Sequence, residues 1–466
     1  MKIAAPSAGD LRTETRQVIA LTIPVVITNS SRALMDVTDY LLISLAGLHE
    51  AQAAILPAQM LMWSYIVLGM GIVAMVNTFT AQSLGRGQRT ECSAYAWQTV
   101  YVAAVMGMIA LVLQPWIPSL VTVIGHEPAV QTAEIGYLRV MVHGVAPTIA
   151  SNGLAWFFVG VRKPWVSTWS VLESNVINIL VCAALIFGWF GIEPMGIVGA
   201  AWGTVIALYY RTFRLAFTMC GGYYAREFAT RRMWRPSMTH FARLVRSGLP
   251  FGAQMFFEIA VWALFVTILV GRTFGTAHLI ATNAAWQYMR IAFMPAMGVG
   301  QALTSLVGHS IGARRLERAD REVRFGVLVT TAYMGTLSLV YAIWGEGLIG
   351  WFNADPEVMR IGRGVMICTA VFQVFDGLAI IYASALRGAG DTFVPSIVFT
   401  IFNWVFIVGG GWAATVLMPG MGSVGPWTAA AALIIVAAFF FRWRWRGGAW
   451  KRIDLFGDRK ELPIGD

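Results

Sequence analysis

Between residues 17 and 442 the chain is a succession of apolar runs, each of roughly 20 residues and each closed by a short polar break. A helical run of that length rises about 30 Å, the thickness of a bilayer's hydrocarbon core. The runs lie at 17–45, 55–80, 94–120, 133–159, 166–190, 197–220, 247–271, 279–308, 325–350, 359–385, 393–418 and 426–442. Composition agrees, since 57% of the 466 residues are hydrophobic and only 12% are charged, against about 25% charged in soluble domains. An all-α membrane protein of about twelve transmembrane helices is expected.

The first residues, "MKIAAPSAGDLRTETRQ", read as a polar leader without an apolar core or a small-residue cleavage site, so the first span is expected to stay in place. Arginine placement gives the orientation. Arg86 and Arg89, Arg162 and Lys163, the six arginines from Arg226 to Arg246, then Arg314, Arg315, Arg318 and Arg321, and finally Arg387 fall in alternate loops. The intervening loops "GLHEAQ", "VIGHEPAV" and "WFGIEPMG" carry no Lys or Arg. By the positive-inside rule the basic loops and both termini are cytoplasmic, which requires an even number of spans. The net charge of +10 follows from this topology and argues for no nucleic acid partner. In the tail "FRWRWRGGAWKR", Trp beside Arg reads as an interfacial anchor against anionic lipid. The four cysteines, Cys92, Cys182, Cys220 and Cys368, have no metal-like or CxxC spacing and read as packing residues.

The chain repeats itself. Ala81-Gln82-Ser83-Leu84-Gly85 aligns with Gly308-His309-Ser310-Ile311-Gly312, 227 residues on, while "GVRKPWV" from Gly160 and Asn175 align with "GAGDTFVP" from Gly388 and Asn403, 228 residues on. Two halves of six spans, an even number, enter the membrane the same way round. Such a parallel repeat has its pseudo-two-fold axis along the membrane normal. The expected organisation is a cytoplasmic leader (1–16), an N-terminal six-helix bundle (17–220), a cytoplasmic linker (221–246), a C-terminal six-helix bundle (247–442) and a cytoplasmic tail (443–466).

Three acids interrupt the apolar spans. "QMFFEIAVWALFVTILVG", from Gln254, carries Glu258; "VTDYLL" carries Asp39 and "VFDGLA" carries Asp376. A carboxylate at mid-membrane costs roughly 2.5–3.5 kcal/mol on insertion scales, so a functional reason is the default. In a low dielectric the neutral form is favoured, which suits a group that takes up and releases a cation. The plainer reading is an acid that fixes helix packing, with Arg32, Arg139 and Arg290 as intramembrane partners. Glu173 sits close to a polar pair, Asn175 and Asn178, on the fifth span. His143 and His309 are isolated and read as packed or interfacial histidines. The scattered six histidines leave no catalytic or metal cluster, and no GxxxxGK[ST] loop is present to harness ATP, so the chain does not read as an enzyme.

Taken together, "VTDYLL", "GMGIVAMVNTFTAQSLGRG", "ESNVINILVCAALIFGWFGIEPMGIVGAAWGT", "GLPFGAQMFFE", "GVGQALTSLVGHSIGARR" and "FDGLAIIYASALRGAGDTFVP" resemble, in order, the multidrug and toxic compound extrusion (MATE) transporters, especially the bacterial NorM-like subgroup. The resemblance covers about residues 17–440. It implies two bundles that alternate access to the two sides, and secondary active export of amphipathic, often cationic, drugs in exchange for H⁺ or Na⁺. It implies no cofactor beyond that coupling ion, a bacterial inner-membrane location, lipid as the surrounding partner, and a monomer. It assigns ion coupling to Glu258, Asp376 and Asp39, with Asp36, one turn earlier on the same helix face, as the second choice for the N half. Asn175, Asn178, Asn283 and Phe372 would border the polar or substrate cavity. If Na⁺ is the ion, Glu258 and Asp376 would ligate it. Two positions depart from the family pattern: Phe372 replaces an aromatic hydroxyl and Leu279 a glutamine. A hard cation wants several oxygen ligands, so these losses favour protons. One charge moving inward at 100 mV supplies about 2.3 kcal/mol, enough for roughly a 50-fold gradient. The alternatives are a lipid-linked oligosaccharide flippase of the same superfamily, which would call for further spans or a strongly basic cavity, and an integral membrane enzyme, which would call for clustered catalytic residues.

Overall fold

The computed structural model describes residues 19–31, 35, 38, 42, 43, 45, 46, 49–191 and 193–457. Among them there is no strand. The helices are α1 (Ile19–Ser31), α2 (His49–Gly85), α3 (Arg89–Leu113), α4 (Ile117–Ile124), α5 (Pro128–Met141), α6 (Val145–Gly160), α7 (Pro164–Phe187), α8 (Gly196–Met219), α9 (Gly222–Glu227), α10 (Met238–Leu264), α11 (Thr276–Gly312), α12 (Leu316–Gly350), α13 (Pro356–Ala389), α14 (Phe393–Phe402), α15 (Gly411–Leu417) and α16 (Val424–Arg446). Wide-turned π-helical stretches, Phe265–Arg272 and Asn403–Gly410, continue α10 and join α14 to α15.

Nine helical stretches among the described residues are long and apolar enough to cross a membrane. The other three expected spans fall on the shorter α1, on the α5–α6 succession, where a 3₁₀ turn at Val142–Gly144 breaks the regular helix, and on α8, which carries Arg211 and Arg214. Hydropathy located each span but not its ends. The helix expected from residue 247 begins at Met238 because Arg243 and Arg246 extend it past the apolar segment.

The repeat is visible in the backbone. Helices α2 and α11 end at Gly85 and Gly312, α3 and α12 begin at Arg89 and Leu316, and α8 and α16 end at Met219 and Arg446, each pair 227 residues apart. The turns match as well. After α2 and α13 the chain reverses through left-handed Gly87 (φ 78) and Gly390 (φ 88). Gln88 N–H donates to Ser83 O at 2.9 Å, and Asp391 N–H to Leu386 O at 2.8 Å, which satisfies carbonyls that a helix end leaves free. After α6 and α11 the same geometry is adopted by Arg162 (φ 63) and Arg314 (φ 58). Each half therefore uses one glycine and one arginine for the same pair of turns, in opposite order.

Packing divides the chain into two units, residues 23–252 and residues 253–466 together with the start of α1 up to Thr22. In the first unit, α2 packs on α3, α5 and α6, and α7 lies along α8. Small residues permit the close approaches. A Cβ on Gly203 would lie 2.4 Å from Cys182 Sγ and 2.8 Å from Cys182 N, and one on Gly199 would lie 2.9 Å from the Leu185 backbone, so the stripe Gly199-xxx-Gly203 lets α8 touch α7 directly. Gly248 and Gly252, at the same spacing, meet the backbone of Ile72 and Leu68 on α2.

In the second unit α13 is packed against α11, α12 and α16. The residues after α16 fold back onto this unit. Trp450 is buried, stacks on Trp445 at 4.2 Å and donates its indole N–H to Trp445 O at 2.8 Å. Trp445 in turn donates to Asp320 Oδ1 at 2.9 Å, and Arg444 grips the buried Asp391 carboxylate with two bonds of 2.6 and 3.0 Å. The sequence reading of these tryptophans as interfacial anchors is corrected for two of them. Trp443 is exposed, but Trp445 and Trp450 are core residues, because an indole whose N–H finds a partner can be buried whole.

Candidate functional site

In the unit of residues 23–252 the fifth-span polar residues divide their contacts. Asn175 donates its Nδ2 to Ser31 O at 2.8 Å, at the end of α1, and Thr168 Oγ1 donates to Pro24 O at 2.8 Å. These bonds seam α1 to α7. Asn178, fully buried one turn on, turns instead toward α8, donating to Thr204 Oγ1 at 3.2 Å and to Cys182 Sγ at 3.3 Å. Its Oδ1 is buried without a hydrogen-bond donor, which leaves an acceptor inside the bundle. Asp36 and Asp39 lie outside the described residues, as does Arg32. Glu173 is held by Arg214, at 2.9 Å, and by the Tyr210 hydroxyl, at 3.0 Å, so it is a paired acid. His143 stacks on Trp202 at 5.8 Å, as a packed histidine would.

In the second unit Glu258 stands on α10 and Asp376 on α13. Asp376 is buried and Glu258 partly so. Gln254 lies one turn before Glu258 on the same face of α10. Neither acid belongs to an ion pair among the described residues. Arg139 and Arg290, the partners considered for them, are exposed. Asn283, on α11, is also exposed. No group of three or more His, Cys, Asp or Glu side chains that could hold a metal ion occurs among the described residues.

Near the two acids lie aromatic rings, of which the sequence reading singled out Phe372 alone. Phe372 is buried one turn before Asp376, and its ring meets that of Trp262, one turn after Glu258, at 6.2 Å. Trp262 also meets Trp286 at 4.7 Å and Phe265 at 5.3 Å. The spacing of four residues between Glu258 and Trp262 was readable, but a tryptophan in an apolar run carries no signal until the facing helix is known.

The MatE family model matches residues 24–184 and 250–411, one stretch in each half. The chain is 26% identical over 453 residues to the probable multidrug resistance protein NorM of Rhizobium meliloti (strain 1021), with 95% of each chain covered. It is 25% identical over 444 residues to the multidrug resistance protein MdtK of Pectobacterium atrosepticum, covering 92% of this chain and 96% of that one. A multidrug resistance MATE family transporter of the MOP superfamily, solved in an outward-facing conformation, matches with a TM-score of 0.83 at 20% identity over 94% of this chain and 97% of that chain. A mutant form of the Vibrio cholerae MATE transporter VcmN matches with a TM-score of 0.81 at 16% identity, over 94% of this chain and 99% of that chain. The structural likeness is one of fold.

Proposed function

This chain belongs to the MatE family, whose members are membrane transporters and not enzymes, and from that premise we propose that it exports amphipathic organic cations across a bacterial inner membrane in exchange for H⁺ or Na⁺. Curated relatives named as multidrug resistance proteins, aligned over nearly the whole chain, support the substrate class. The observation that carries the coupling is the placing of Glu258 and Asp376: each stands in an apolar helix, neither joins an ion pair among the described residues, and the rings one turn from them, Trp262 and Phe372, meet at 6.2 Å.

Two like charges in a low dielectric repel, so the pair is most stable with a proton or a Na⁺ between them. An organic cation supplies the same positive charge. Its arrival displaces the ion, and the ion's return from the side of higher potential displaces the cation; this competition is the coupling under alternating access. The N-half polar residues Asn175 and Asn178, with the acid carried by the following stretch of the first span, would form a second polar region. Arginine placement puts both termini in the cytoplasm.

The test is ethidium efflux from liposomes containing the purified protein, under separately imposed pH and Na⁺ gradients. One gradient should drive efflux and should fail to do so with Glu258→Gln. Wild-type efflux by a correctly inserted Glu258→Gln protein would refute the assignment.

A further inference from the structure

The surroundings of the carboxyl pair differ on its two sides. Helix α10 leaves the arginine-rich linker and α13 ends at Arg387, so the two helices run in opposite senses relative to the basic face. Trp262 follows Glu258 by four residues, and Phe372 precedes Asp376 by four. Both rings therefore lie one turn farther from the basic face than the acids they accompany, and they meet at 6.2 Å, inclined by 68°. Trp262 is boxed by Trp286 (4.7 Å), Phe265 (5.3 Å) and Trp427 (6.3 Å). Trp427 is fully buried and anchored by its indole N–H on Thr282 Oγ1 at 3.2 Å. On the basic side, the next residue along the Glu258 face is the polar Gln254.

We propose that Trp262 and Phe372 form an apolar seal on the outer side of the carboxyl pair, so that an ion passes between the pair and the outer side only when the rings part. They are positioning residues, acting through Glu258 and Asp376. An ion crossing a layer of packed rings gives up its hydration with no polar group to replace it, which is how apolar constrictions close pores. Phe372 offers no hydroxyl to bridge the layer. Immediately beyond the seal the backbone widens into the π-helical stretch Phe265–Arg272, which packs on its counterpart Asn403–Gly410. Such stretches are frequent at functional sites, and here one begins three residues after Trp262.

The inference rests on the coupling role given above to Glu258 and Asp376, and the experiment separates the two. Full-length protein in liposomes is given an inward pH gradient, and separately an inward Na⁺ gradient, without ethidium, and ion entry is followed with trapped dyes. Trp262→Ala should admit the coupling ion several-fold faster than wild type and, when ethidium is then supplied, should export less of it per ion. Trp262→Phe, which keeps a ring, should restore most of the tightness. Phe372→Leu, which keeps the site apolar and close to its native volume, should leak measurably and stands in if Trp262→Ala does not fold. Adding Glu258→Gln to the leaking variant should abolish the leak. Wild-type tightness in folded Trp262→Ala and Phe372→Leu proteins would overturn the seal, as would a leak that survives Glu258→Gln. If Glu258→Gln alone retains gradient-driven efflux, it is the coupling assignment that fails.

Discussion

At the scale of single residues, the carboxyls to which we assign coupling differ from the others in what holds them. Glu173 has Arg214 and Tyr210, and Asp391 has Arg444, whereas Glu258 and Asp376 join no ion pair among the described residues. Asp376→Asn should abolish gradient-driven efflux as Glu258→Gln does, and the double variant should be little worse than either, because groups acting as one unit are not additive. Additive losses in a transport assay would show two independent sites. Asp391→Ala should behave quite differently. It strands the Arg444 guanidinium, 17% exposed, without its partner, at a cost of about 3–5 kcal/mol, and should lower the melting temperature in detergent; an unchanged melt would mean that Arg444 finds another acceptor. Glu258 and Asp376 were legible in the sequence because an acid in an apolar span is conspicuous by itself. Trp262 was not, since its meaning depends on Phe372, more than a hundred residues away.

At the scale of elements, glycine sorts into two kinds. Gly203 on α8 lies against the backbone of Cys182, so even a methyl group must push α7 away, whereas a Cβ on Gly335, within α12, would meet nothing within 4 Å. Gly203→Ala should therefore lower the melting temperature by the equivalent of about 1–3 kcal/mol, the usual cost of overpacking. Gly335→Ala should raise it, since alanine is favoured over glycine inside a helix by about 1 kcal/mol. Equal shifts of the same sign in a thermal melt would contradict the close α7–α8 contact. Twelve apolar runs were readable because bilayer thickness imposes a length on each. Helix ends were not, because Arg243 and Arg246 propagate α10 beyond the bilayer at no penalty, and the 3₁₀ turn at Val142–Gly144 leaves hydropathy untouched. The burial of Trp445 and Trp450 was equally hidden, being decided by partners such as Asp320 in another helix.

At the scale of the whole molecule, the proposed threading follows from arginine placement: basic loops alternate with loops that hold few basic residues or none. A cysteine placed at Glu127 should react with an impermeant maleimide in intact cells, and one at Gly87 only after the cells are opened; the reverse pattern would invert the topology. The repeat supports this threading, since the turns at Gly87 and Arg314, and at Arg162 and Gly390, share one left-handed geometry. Ion-coupled export is the proposal to which the family and the placing of Glu258 and Asp376 lead. The most direct measurement is ethidium efflux from liposomes holding the purified wild-type protein, with and without an imposed ion gradient and in the absence of ATP. The account predicts efflux against a concentration difference only while a pH or Na⁺ gradient persists, collapsing when an ionophore dissipates it. Uphill efflux with every ion gradient abolished would contradict it.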